Sequence, residues 1–195
     1  MFLGACASIH GKAKNPKQLT AEEYLQWYES SNYPYRDTAE VNGITYVCSF
    51  QPRQSEIARQ YLNKVITQEE ATAYLKEGED LLQFQFQVFL PQAGTDVFHY
   101  QLKEGESTSS RTSYFSFGIK SDLKINYETS GTADCSSVHF ERGISNFPVS
   151  KFMAYFPVRQ EKVTSITFDA AVFGQPKVNF EFNHLLTNNL PKLKL

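Results

Sequence analysis

The chain has 195 residues, and its net charge of −2 comes from both signs interspersed. It therefore has no Lys/Arg stripe of the kind that counterion release on nucleic acid exploits, which argues against nucleic-acid binding. The length suits one domain with a substantial core, since domains of this size bury roughly 70% of their unfolded surface, and the aromatic content, 16 Phe, 11 Tyr and one Trp, favours strands and bulky packing.

In chain order the first signal is Leu3-Gly4-Ala5-Cys6. It resembles the lipobox of bacterial lipoproteins, at which signal peptidase II cuts. An apolar Leu3 fits the peptidase pocket, small Gly4 and Ala5 admit the scissile bond, and the Cys6 thiol takes a diacylglyceryl thioether. A secretory signal needs a charged start and an apolar run of about 7 to 15 residues, whereas only Met1 to Ala5 precede Cys6. Residues 1–6 are thus read as the end of a signal peptide that begins upstream; the alternative is an ordinary N-terminal cysteine. The resemblance implies a lipid anchor at Cys6. Two or three acyl chains, at roughly 0.8 kcal/mol per buried CH₂, hold a protein at a membrane without a spanning helix, and no segment offers the ~18 consecutive apolar residues of a span.

The stretch Ala7-Ser8-Ile9-His10-Gly11-Lys12 lacks the Asp that retains many enterobacterial lipoproteins in the inner membrane. It also lacks an acidic cluster like the surface-export signal of lipoproteins of Bacteroidota type. The implied address is the cell envelope, at the outer membrane and facing the periplasm. Residues 7–18, with Gly11, Pro16 and three lysines, read as a flexible tether, and residues 19–195 as a single globular domain.

Within that domain Thr20 and Glu23 have capping-box spacing, with Leu19 and Tyr24 placed as the hydrophobic staple, so a helix is expected through Glu29. Tyr24, Trp27 and Tyr28, together with Tyr33 and Tyr35, suit either a stacking platform for sugars or a helix docked on the core; core packing is the simpler reading. A strand through Ile44-Thr45-Tyr46-Val47-Cys48-Ser49-Phe50 ends at Pro52. Arg53 to Lys64 reads as a helix with Ile57, Tyr61 and Leu62 on one side. Thr67 and Glu70 begin another that Gly78 would stop.

Beyond the helices the period becomes two. Leu82, Phe84, Phe86, Val88 and Leu90 alternate with Gln83, Gln85 and Gln87, giving one apolar and one uncharged, hydrogen-bonding face. Similar alternation marks Phe115-Phe117-Ile119, Leu123-Ile125-Tyr127, Val138-Phe140, Phe152-Ala154-Phe156, Ile166-Phe168-Ala170 and Val178-Phe180-Phe182. Glu104 to Ser113, rich in Ser and Thr, reads as a mobile loop. The expected class is α+β and mainly antiparallel, a sandwich or partly open barrel of about seven or eight strands, with three short helices in the N-terminal part.

Chemistry is sparse. Phosphate-binding glycine loops and a nucleophile elbow are absent. If Cys6 is a thioether, Cys48 and Cys135 remain as an even pair available for a disulfide in an oxidising compartment, although Cys48 also suits a small buried hydrophobe. No Cys or His spacing suggests a metal, and no cofactor is expected. His139 and Glu141 share a strand face opposite Val138 and Phe140, a pattern that suits acid-base work but also a plain exposed face. In the C-terminal hairpin, a loop of Gly174-Gln175-Pro176 would set Asp169 opposite Glu181, a repulsive pair. It would be relieved by a cation or by a register that brings Thr167 to Glu181. Two functions follow as expectations: an envelope lipoprotein that binds a partner protein or an apolar or saccharide ligand without catalysis, and a lipid-anchored hydrolase or carbohydrate-active enzyme built on His139/Glu141 or Asp169/Glu181.

Overall fold

Reciprocal capping and a short strand tie build the N-terminal layer. The structure, a computed structural model, describes residues 17–77, 80–92, 94–141, 149–185 and 189–195. Strand β1 (Gln18–Leu19) pairs in parallel with β11 (Lys192–Leu193), and Lys192 N–H donates to Lys17 O at 2.8 Å. Lys17 and Gln18 therefore belong to the fold, not to the tether, and residues 7–16 lie outside the described residues. Helix α1 (Ala21–Glu29) opens on the Thr20/Glu23 box. It packs with α2 (Arg53–Leu62) and α3 (Gln68–Lys76), the latter opened by Thr67/Glu70, around a small core that includes Leu19, Tyr24, Ile57, Ala71 and Leu193. The expected stop at Gly78 lies outside the described residues.

Two antiparallel sheets face each other across the main core. The five-stranded sheet runs β2 (Arg36–Val41), β3 (Ile44–Phe50), β4 (Leu81–Phe89), β8 (Val149–Pro157), β7 (Ser137–Glu141). The four-stranded sheet runs β10 (Lys177–Leu185), β9 (Val163–Asp169), β5 (Leu123–Tyr127), β6 (Gly131–Asp134). The pairing is a sandwich without barrel closure, the first of the two architectures that the alternation allowed, and the parity of β4 is as expected. Phe84 meets Phe182 with centroids 5.3 Å apart, while Phe86 stacks on Phe152 at 4.8 Å and meets Phe180 edge-on at 5.6 Å. The tyrosines at 24, 28, 33 and 35 are all buried, so the early aromatic cluster is core. Strand β2 escaped the hydrophobic pattern because its residues are mostly polar. Its signal is the turn that follows, Asn42-Gly43, with φ of 49° and 81°, the conformation a tight hairpin demands.

Three expectations are corrected. Phe115 to Ile119 is not a strand: α4 (Thr108–Ser113) runs into a π-helical turn, Tyr114–Gly118, and a 3-10 turn, Ile119–Asp122. Phe115 and Ile119 are buried and Phe117 is 78% exposed, which is helical rather than alternating burial. The Ser/Thr-rich segment before it is anchored rather than loose. Ser107 caps α4, and Arg111, with no exposed surface, binds Glu106 through Nε at 2.8 Å and Nη2 at 2.5 Å. Lastly, Asp169 faces Lys177 and Glu181 faces Ser165, so the repulsive pair does not form. Asp169 instead accepts from Ala171 N–H and caps a 3-10 turn, Ala170–Phe173, that buries Ala170 and Phe173. The hairpin connection thus spans residues 170–176 rather than three residues, and the register moves with it.

Candidate functional site

Alternation that turns phenylalanines inward on β4 turns Gln83, Gln85 and Gln87 outward. The neighbouring strands place their own outward residues on the same rungs. Gln83 pairs with Tyr155, and Tyr155 with Ser137; Gln85 with Met153, and Met153 with His139; Gln87 with Lys151, and Lys151 with Glu141. On the other side Gln85 pairs with Ser49, and Ser49 with Arg36. One rung thus carries Arg36, Ser49, Gln85, Met153 and His139 across five strands, about 19 Å at the usual strand spacing.

Helices α1 and α2 wall this face and make it a cleft of about 550 Å³. Tyr28 and Glu29 come from α1, Glu56 and Arg59 from α2, Arg36 from β2, and Gln51 from just beyond β3. Gln83, Gln85, Met153, Tyr155, His139 and Glu141 complete the lining. The size falls within the usual range of small-molecule sites.

Much of the charge in the walls is internally paired. Arg59 bridges the two helices, holding Glu29 at 3.2 Å and Glu56 at 3.0 Å, and Gln60 donates to Glu56 at 2.9 Å. Arg36 donates through Nε to Ser49 Oγ at 3.1 Å and through Nη1 to Ser30 O at 3.3 Å, with its guanidinium 5.8 Å from the centre of the Tyr33 ring. Burial raises the Tyr28 hydroxyl above its ordinary pKa. Burial, then the Glu141 carboxylate, raises that of Tyr155. Both are therefore neutral hydrogen-bonding hydroxyls at physiological pH.

One residue of the lining is almost wholly covered. Gln51 is only 9% exposed, its backbone N–H donates to Gln83 O at 2.8 Å, and its side-chain Oε1 is buried without a hydrogen-bond partner. Gln87 Nε2 donates to Gln85 Oε1 at 2.8 Å, linking two of the three outward glutamines.

Of the residues singled out from sequence, His139 and Glu141 do come together, both exposed on β7 at the cleft margin. Asp169 and Glu181 lie on the four-stranded sheet, apart from one another and outside the cleft; Glu181 N–H donates to Asp37 Oδ2 at 2.8 Å. Cys48 and Cys135 are both free and buried, which replaces the disulfide reading. Burial, then Asp37, pushes the Cys48 thiol well up, and burial carries Cys135 up to about 11, so neither is an activated nucleophile. Cys6 lies outside the described residues. Among the described residues, no three His, Cys, Asp or Glu side chains gather as metal ligands do.

The residues that sequence reasoning missed are Arg36, Gln51, Glu29, Glu56 and Arg59. The outward parity of β4, β7 and β8 was readable, but which strands adjoin was not, and helical charges reveal their sheet partners only in the fold. The chain matches no protein-family model, no curated protein and no solved structure.

Proposed function

We propose that this chain is a lipid-anchored cell-envelope protein, held at the outer membrane through Cys6 and facing the periplasm, that acts as a non-catalytic binding module. The cleft on the outer face of the five-stranded sheet is its ligand site. The observation that carries this reading is the character of that cleft. Its lining sets the amides of Gln83 and Gln85 and the neutral hydroxyls of Tyr28 and Tyr155 beside Arg36, His139 and Glu141, and two of its three carboxylates, Glu29 and Glu56, are engaged by Arg59. Such a surface is equipped to hold a polar ligand, while the paired carboxylates are occupied as structural partners. The anchor rests on the Leu3-Gly4-Ala5-Cys6 resemblance. Tethering at a membrane raises local concentration, so modest contacts in an open cleft suffice.

A second reading, a lipid-anchored hydrolase or carbohydrate-active enzyme, draws on His139 and Glu141 standing beside Tyr155 at the same cleft. Turnover that depends on those two residues separates the readings.

The anchor is tested by expressing the gene with its full upstream reading frame in a Gram-negative host. The product is expected in the detergent phase, with an acylated Cys6 as its N-terminal residue, and Cys6→Ser is expected to release it. A mature chain that retains Met1 and carries a free Cys6 thiol contradicts the anchored reading.

A further inference from the structure

Resting on the cleft as ligand site, we infer that its ligand is an elongated dipolar molecule of the short-peptide class, whose carboxylate seats on Arg36 beside the Tyr28 hydroxyl and whose ammonium group seats on Glu141.

The first support is the state of Arg36. Two of its five N–H groups go to neutral partners, Nε to Ser49 Oγ and Nη1 to Ser30 O. The Tyr33 ring lies against the same guanidinium. These contacts orient the group without neutralising it, because among the described residues no carboxylate is within ion-pair reach of Arg36. Arg59 on the same wall differs in that respect, being matched by Glu29 and Glu56. Burial acts most strongly on the Tyr28 hydroxyl, followed by the Arg59 and then the Arg36 guanidinium, so both cations stand near it. No hydrogen bond among the described residues engages that hydroxyl. An oriented guanidinium with N–H groups to spare, beside a hydroxyl with a free proton, is a seat for a carboxylate.

The second support is the opposite end. Glu141 is exposed at the cleft margin. Lys151 is its register neighbour, yet among the described residues no cation is within ion-pair reach of Glu141. After burial, Glu141 is the influence on the Tyr155 hydroxyl, which also lines the cleft, so its negative charge is felt inside.

The third support is the separation. Arg36 and Glu141 stand on β2 and β7, the outer strands of the sheet, two residues off a common rung. Four strand spacings put them about 20 Å apart, beyond the screening length at physiological salt, about 8 Å. They do not neutralise each other, and a ligand with one charge answers only one of them. An extended chain of about four to six residues covers such a span. Between the ends, Gln85 and Gln83 offer amide donors and acceptors that match peptide groups.

The test is titration of the full chain carrying Cys6→Ser with tetra-, penta- and hexaalanine, followed by NMR of the Gln85 side-chain amide and the Met153 methyl. It is run at about pH 6.5, where a free amino terminus is an ammonium. Each peptide is also used with its C-terminus amidated, with its N-terminus acetylated, and with both blocked. At least one free-ended peptide is expected to shift both signals saturably, and blocking either end to weaken binding about fivefold, roughly one charge-assisted contact at a part-exposed site. In Arg36→Gln the free and amidated peptides should bind alike while acetylation still weakens; in Glu141→Gln the pattern reverses. Each variant tests its own end should the other fail to fold. Equal binding of free and doubly blocked peptides would overturn the dipolar assignment and leave the cleft as a ligand site, as would end preferences that persist in the folded variants. Shifts from none of the peptides would overturn the assignment; if maltohexaose and inorganic phosphate also leave both signals unmoved, the cleft as ligand site falls with it.

Discussion

Arg111 is a fully buried guanidinium whose neighbours account for its charge. Glu106 supplies two carboxylate oxygens, the carbonyls of Val97 and Tyr100 each accept from Nη1 at 3.3 Å, and the Phe173 ring lies 5.8 Å away. Removing one partner of such a pair leaves an uncompensated buried charge, so Glu106→Ala is expected to lower stability by about 3–5 kcal/mol in urea unfolding. The hydrogen bonds from Arg111, then that from Lys103 N–H, hold the Glu106 carboxyl down at about 2. Its native pKa is thus below the unfolded value near 4.3, and its contribution is complete above that value and lost as pH falls toward about 2. Stability measured over this acid window should fall less steeply in Arg111→Met than in the wild type. None of this was legible in Glu104 to Ser113, because Ser and Thr serve loops and helix caps alike and a lone Arg in sequence looks solvated. Gln51 was equally hidden: a polar residue just past the end of β3 reads as exposed, yet it is only 9% exposed in the fold.

Strands were readable where one face met the core and the other met polar surroundings. On β4 that division predicts that Phe86→Ala costs about 3–5 kcal/mol and Gln85→Ala no more than about 1 kcal/mol, both measured as shifts in chemical unfolding; equal losses would mean that the glutamine face is as tightly packed as the core. The segment after α4 shows where the pattern is ambiguous, since residues 115, 117 and 119 satisfy period two while 115 and 119 alone satisfy a helical turn. The helix wins because Arg111 and Phe115, four apart, both enter the core. Phe115→Ala should therefore cost about 3–5 kcal/mol, whereas Phe117→Ser should stay within about 0.5 kcal/mol of wild type. A strand with all three aromatic and aliphatic side chains inward would lose comparably at both. The hairpin register was misread for a related reason: the Asp169 cap and the turn it starts are local polar chemistry that alternation does not record.

At the scale of the whole molecule, alternation allowed a sandwich or a partly open barrel and the structure is the sandwich, but the cleft needed strand order. His139 is distant in sequence from Gln85 and Arg36, and only the order β2-β3-β4-β8-β7 brings them onto one rung. Helices α1 and α2 then turn part of an otherwise flat polar face into a walled site. The central claim is that this site binds without catalysing. It is tested most directly by mass spectrometry of cellohexaose, maltohexaose and chitohexaose, the substrates that the carbohydrate-active reading would call for, after prolonged incubation with saturating protein, alongside the Glu141→Gln and His139→Ala variants. The account predicts intact hexasaccharide, with no products in any sample. Shortened chains produced by the wild type and abolished by either substitution would contradict it.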